Sequence, residues 1–269
     1  MLRLLALLGK IPGLRRWLAR RSYERMASGL RSPKWTFMNF GFVPPDGDAP
    51  ALEPRDEPDR LSIQLYHRVA SAIDLRSRRV LEIGSGRGGG AAFLARYHGP
   101  AHVTGADFSA HAVALSRAFH AGVPNLDFAE GDAERLPFPD ASFDAVVNVE
   151  SSHCYGSMDR FLHEVGRVLR PGGCFLFADF RAAAEVPDLM RTLDAQPGWQ
   201  RVDHEDITAA VVTALEAGDA HKRKLIADIV RRPRVRKGAG EFAGLVGSRI
   251  HDAFRRREMV YVRAAYRRA

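Results

Sequence analysis

The chain of 269 residues, 46% hydrophobic and 27% charged, has the composition of an ordinary globular protein and the length for one large α/β domain with an added cap. No apolar run approaches the ~20 residues that a bilayer-spanning helix needs. Cys154 and Cys174 are too few for a disulfide framework or a cysteine metal cluster, so a reducing compartment and no metal site are expected. The net charge of +8 is uneven: residues 1–35 hold nine Lys/Arg against one acid, residues 36–221 sixteen against 27, and residues 222–269 fifteen against four.

In chain order, the opening "MLRLLALLGKIPGLRRWLARRSYERM" sets Leu7, Ile11, Leu14 and Leu18 at helical spacing beside Arg15, Arg16, Arg20 and Arg21. That pattern suits a helix lying weakly on an anionic membrane, although Pro12 and Gly13 interrupt it. A secretory signal fits poorly, because the short apolar stretch runs into positive charge; a transit peptide stays open on arginine content. The expected setting is a bacterial cytoplasm, with contact to a membrane surface. "KWTFMNFGF" then brings four aromatics in nine residues, and residues 43–60 hold five prolines and six acids, as a connector would. Leu61, Leu65, Val69 and Ile73 predict a helix.

From residue 79 onward strands alternate with amphipathic helices: strand 79–84, helix 89–98, strand 101–107, helix 110–120, strands 126–130 and 143–149, helix 159–170 and strand 173–179. This order predicts a doubly wound parallel sheet. Beyond it the pattern gives a helix near 185–195, a strand near 199–205, helices across 207–230 and 240–254, and a last strand in "EMVYVRAAYRR".

The glycines cluster where the first strand ends, in "VLEIGSGRGGG". Gly84, Gly86 and Gly89 match the spacing of a dinucleotide loop, and an acid 23 residues beyond Gly84, Asp107, suits the vicinal hydroxyls of a ribose. Glu82 turns the argument, because a carboxylate beside the loop repels a pyrophosphate but suits a cationic amino-acid headgroup. Asp132 can accept from an adenine amine, with the Ala133 amide donating to the ring and Phe108 against its face. Adenosine, a positive charge and no phosphate together describe S-adenosylmethionine.

"VLEIGSGRGGG", "TGADFS", "GDAERLPFPDASFDAVVNVESSHCY" and "FLHEVGRVLRPGGCFLFADFR" resemble, in order, the motifs of class I S-adenosylmethionine-dependent methyltransferases. The resemblance implies a Rossmann-like seven-stranded sheet whose last strand, near 259–267, is antiparallel and inserted beside an earlier one. It also implies cofactor contacts at Gly84, Ser85 and Gly86 under the methionine, at Asp107 and Phe108, at Asp132 and Ala133, and at Asn148 on strand four. Tyr66 and Glu82 are expected near the methionine end. "EPDRLSIQLYHRVASAIDL", "NVESSHCY" and "MNFGF" are similar to mycobacterial phthiotriolone-type lipid methyltransferases and to fatty-acid O-methyltransferases. The division implied is a basic helix, aromatic segment and connector over 1–60, then a methyltransferase domain over 61–269 with a helical cap inserted at about 207–255.

Methyl transfer to a hydroxyl needs orientation and a base. His153, after strand four, is the first candidate because imidazole titrates near neutrality; Glu150 is the alternative, His67 a weaker rival, and Cys154 reads as a small buried hydrophobe. Phe37, Asn39, Phe40, Tyr155 and Phe242 are the candidate walls for a hydrophobic small-molecule or lipid acceptor. Carbon or nitrogen methylation is the nearest rival activity, and a non-methylating cyclase another. A nucleic-acid partner is not expected, since strand four lacks the N-P-P-Y or D-P-P-Y type signature of base-methylating relatives. The oligomeric state is left open.

Overall fold

The computed structural model describes Ser32, residues 35–230 and residues 233–269, with the side chains of Pro233 and Arg234 left aside. The amphipathic opening segment lies outside the described residues. Seven strands form one sheet in the order β3-β2-β1-β4-β5-β7-β6. These are β1 (Arg79–Ile83), β2 (His102–Asp107), β3 (Leu126–Glu130), β4 (Phe143–Val149), β5 (Leu169–Ala182), β6 (Trp199–Asp206) and β7 (Met259–Arg268). The first five pair in parallel. The seventh runs antiparallel between β5 and β6, as the resemblance implied.

Adjacent residues of the central strands face opposite layers, which is why they read as unbroken apolar runs. Val80 and Val147 pack with Ile63, Leu65, Phe93, Leu94, Val211 and Leu215. Those residues come from α1 (Arg60–Ala70), α2 (Gly89–Tyr97) and α6 (Thr208–Ile229). Leu81 and Val146 pack on the other face with Phe161, Leu162, Val165 and Val168 of α4 (Met158–Val168) and Leu189 and Leu193 of α5 (Val186–Asp194). Each fully buried side chain of this kind contributes about 1.5–3 kcal/mol. Helix α3 (Ala110–Phe119) starts where Ser109 Oγ accepts from Ala112 N at 3.3 Å, an N-cap directly after Asp107 and Phe108.

One expectation needs correction. The helix read across 240–254 is two helices, α7 (Pro233–Phe242) and α8 (Arg249–Arg255). Gly244 and Gly247 between them take φ of +68° and +85°, a conformation a helix interior does not allow, and Ser248 caps the second helix. The acidic connector is also anchored: Asp56 accepts two bonds from Arg96, at 2.6 and 2.8 Å.

The sheet reverses direction between β1 and β4, which are neighbours although distant in sequence. A crevice opens there at the carboxyl ends of the strands. The aromatic segment crosses this opening, with Phe42 N donating to Leu61 O (3.0 Å) and Val43 N to Ala210 O (3.3 Å).

Candidate active site

A single cavity of about 380 Å³ fills the crevice, from the glycine loop at one end to the aromatic segment and the end of α7 at the other. Gly84, Ser85, Gly86, Asp107, Phe108, Asp132, Ala133 and Tyr66 line it, together with Glu150, His153, Tyr155, Phe37, Asn39, Phe40 and Phe242. Residues read separately from the sequence are thereby brought into one space. His67 is elsewhere, on α1 among the rings of Phe93 and His98.

At the cofactor end, Asp107 is 7% exposed. One carboxylate oxygen accepts from Gly86 N and the other from Ser109 N, each at 2.9 Å. The same acid therefore shapes the glycine turn and faces the cavity. Burial raises it to about 6, against the two backbone bonds that pull it down. Glu82 is fully buried and accepts from Tyr66 OH at 2.6 Å; burial pushes it up to about 7. A side chain at Gly90 would overlap the Tyr66 ring and the Glu82 carboxylate, so the last glycine of the run makes room for this pair rather than for a phosphate. Ser85 Oγ is buried with no hydrogen-bond partner among the described residues, as befits a group kept for a polar ligand.

These features fit S-adenosylmethionine. Asp107 would hold the ribose, Asp132 and Ala133 the adenine edge with Phe108 at its face, and Gly84 to Gly86 with Tyr66 the amino-acid part. Asn148 is fully buried, and its Nδ2 donates to Ile83 O at 2.9 Å and to Ser151 Oγ at 2.7 Å. Its amide ties the post-β4 turn to β1, and its Oδ1 is buried with no hydrogen-bond partner among the described residues. Glu82 is bonded to Tyr66, which lines the cavity.

At the acceptor end, the turn Ser152–Cys154 lies over Asp179 of β5, a residue to which sequence reasoning gave no role. Asp179 is fully buried. It accepts from His153 N and faces His153 Nδ1, both at 2.9 Å, and Arg181 Nη1 lies 3.2 Å away. Burial alone would push the imidazole down, but the Asp179 carboxylate outweighs it and holds His153 well above its ordinary range. The same contacts hold Asp179 low against its own burial. An uncoupled imidazole near neutrality was expected; a carboxylate buried under the ring makes it a cation instead.

Glu150 follows β4 with φ +47°, a left-handed turn that costs a non-glycine residue about 1–3 kcal/mol. Its Oε1 accepts from Phe40 N at 2.8 Å and Tyr261 OH at 2.9 Å, so the carboxylate ties the aromatic segment to the sheet. Burial raises it to about 7. Cys154, expected to be buried, is exposed on the cavity rim, while Cys174 is buried. Two cations to which the sequence gave no role hold the aromatic segment. Arg87, 1% exposed, donates to Trp35 O at 3.1 Å, and Lys222 Nζ donates to Phe40 O and Ala243 O at 3.1 and 3.2 Å. Their partners lie 52 and 182 residues away for Trp35 and Phe40, a separation that no local pattern signals.

Residues 81–177 match the family model described as a methyltransferase domain. A phthiotriol/phenolphthiotriol dimycocerosates methyltransferase of Mycobacterium tuberculosis is 41% identical over 243 residues, 89% of this chain and 87% of that protein. A fatty-acid O-methyltransferase of Mycolicibacterium smegmatis is 44% identical over 196 residues, 72% and 70% of the two chains. The crystal structure of the [4+2]-cyclase SpnF superposes with a TM-score of 0.65 at 24% identity, covering 85% and 86%, a likeness of fold that does not decide the reaction. The identities, the ordered motifs and an acid-lined cavity at the sheet's switch point place this chain in the class I S-adenosylmethionine-dependent methyltransferases, and it is an enzyme that uses S-adenosylmethionine as methyl donor.

Proposed function

We propose that the enzyme methylates an oxygen, a hydroxyl or a carboxyl, on a hydrophobic lipid or lipid-like secondary metabolite. The observation that carries this reading is the continuity of the cavity, in which the cofactor end opens directly onto an aromatic-walled space holding Glu150 and His153. The names of the two relatives support it, since one is a lipid methyltransferase and the other an O-methyltransferase of fatty acids.

Bound S-adenosylmethionine supplies a methyl group already activated on a sulfonium. The chain's own residues contribute position and proton transfer. Glu150, raised to about 7, is matched to taking a proton from a hydroxyl near neutral pH. His153 holds a positive charge over Asp179, orients the acceptor oxygen and offsets the negative charge that grows on it as its proton leaves. This assignment reverses the order expected from the sequence. Phe37, Phe40 and Phe242 exclude water and meet the apolar body of the acceptor.

The test is incubation with methyl-labelled cofactor and a set of long-chain alcohols, hydroxy lipids, fatty acids and amines. A labelled ether or ester is expected. Label on carbon or nitrogen alone would overturn oxygen as the acceptor atom. The basic, leucine-striped residues 1–26 lie outside the described residues, and weak peripheral binding to anionic membranes through them is part of the proposal. Among the described residues no helix is long and apolar enough to cross a membrane.

A further inference from the structure

A second cavity, of about 310 Å³, lies behind the aromatic segment between α1, α6 and the end of α7. It shares Phe37, Met38, Asn39 and Phe242 with the first cavity. Those four side chains are the partition, and two features make it a passage rather than a wall. Met38 is an unbranched thioether that repacks at little cost, and Phe242, 39% exposed, is not locked into a core.

Asn39 gives an independent sign of a ligand at the crossing. It is 8% exposed, and Nδ2 donates to Ser62 O at 3.2 Å, which fixes the orientation of the amide. Its Oδ1 is buried with no hydrogen-bond partner among the described residues. A buried carbonyl left unpaired is costly, and Asn39 lines both cavities, so a hydroxyl on a molecule bound across them would satisfy it.

The second cavity is suited to hydrocarbon. Trp35, Leu61, Leu225 and Ile226 lie on its walls. Of the charged groups on its walls, Arg60 pairs with Glu57 and Pro50 O and Lys222 bonds two carbonyls, while Asp59 and His221 add a polar edge.

We propose that the acceptor threads through the partition, with its reacting oxygen in the first cavity, a hydroxyl near that end donating to Asn39 Oδ1, and its hydrocarbon tail in the second cavity. The ligand class is therefore a long-chain hydroxylated lipid, and the claim rests on the lipid reading given above. Helix α6 supplies the means of blocking the tail site. Ala217 and Gly218 both line the second cavity, and a Cβ at Gly218 would stand 3.1 Å from Leu61 Cδ1, so a larger side chain there displaces volume from the cavity.

The experiment is calorimetric titration of the full chain, with S-adenosylhomocysteine bound, using saturated alcohols of six and sixteen carbons. Each buried methylene favours binding severalfold, so the native enzyme should take the longer alcohol at least about 100-fold more tightly. Ala217→Trp, on the exposed rim, and Gly218→Leu should each lose about tenfold or more for the long alcohol. Affinity for the short alcohol and for the cofactor should stay within about twofold. Should Gly218→Leu fail to fold, Ala217→Trp carries the same comparison. A native enzyme indifferent to chain length, or variants that keep the long alcohol or lose both alcohols alike, would overturn the tail site. An enzyme that gives the expected binding pattern yet methylates no lipid oxygen would overturn the methylation reading and leave the tail site standing.

Discussion

The two ends of the cavity are built by different means. At the cofactor end the contacts come from strand termini a few residues apart in register: Gly86 donates to Asp107 across neighbouring strands, and Asp107 accepts from Ser109 N at the turn into α3. Backbone geometry does most of the work there. At the acceptor end, Glu150 gathers Phe40 and Tyr261 from 110 and 111 residues away, and Lys222 joins the same segment to the cap. Side chains from unrelated segments do the work. A site made of backbone and short-range turns can hold one cofactor across many enzymes, whereas a site made of distant side chains can change its substrate without disturbing the sheet.

The sharpest way to break this division is Glu150→Gln. The variant keeps Phe40 N and Tyr261 OH within reach of an amide oxygen but removes proton acceptance. Turnover should fall by about 10²–10⁴-fold, with cofactor affinity unchanged within about twofold. The native rate should rise as Glu150 ionises near its raised value of about 7, and fall again only well above neutrality, where His153 loses its proton. His153→Gln should abolish that upper decline and keep the lower rise. Single-turnover rates across pH decide it; a His153→Gln enzyme that has lost the lower rise would return the base to His153.

The cofactor end is probed by Asp107→Ala. A charge-assisted hydrogen bond contributes about 1.5–3 kcal/mol, so S-adenosylmethionine affinity should drop about tenfold or more. Asp107→Asn should lose less, because the amide oxygen can still accept from Gly86 or Ser109. Calorimetry reads both variants, and an unchanged Kd for Asp107→Ala would remove the ribose assignment.

The unequal legibility of the two ends has the same origin. The strand-end motifs could be read because a glycine turn, a ribose acid and a capping serine must follow a strand at short, fixed spacing. The helix predicted over 240–254 failed because apolar residues at helical spacing outvoted Gly244 and Gly247, whose backbone conformation breaks the helix. His153 was found in the sequence, but its charge was not. That charge depends on Asp179, 26 residues later, which reads within "FADFR" as one more strand residue until β4 and β5 are laid side by side.

Contact with a lipid surface is expected from the basic opening segment. Residues 1–26 carry seven Lys/Arg against Glu24, and each cation near an anionic surface contributes roughly 1 kcal/mol, screened by salt. The full chain should float with anionic liposomes at low salt, and a chain lacking these residues should float less. Equal flotation of the two would move any membrane contact to another surface.

A smaller and more discriminating effect lies in the stability of the protein against pH. Glu82, Asp107 and Glu150 are raised to about 7, 6 and 7 by burial. A carboxyl whose folded value exceeds its unfolded one is held more tightly as the neutral acid in the folded protein. Its contribution to stability is therefore full below the unfolded value near 4 and is lost as pH rises through 6 to 7. Acids held low by ion pairs, such as Asp56 beside Arg96, act in the opposite sense, but in a window at or below pH 4. Without ligand, Tm should fall by several degrees between pH 5 and pH 7.5. Cofactor binding favours the ionised forms of Glu82 and Asp107, so it should release protons near pH 6 and flatten most of that slope. The part due to Glu150, at the acceptor end, should persist with cofactor bound and disappear in Glu150→Gln. Thermal melts of both proteins, with and without S-adenosylmethionine, separate the two contributions; a slope that the cofactor leaves intact would mean that its charge does not reach Glu82 and Asp107.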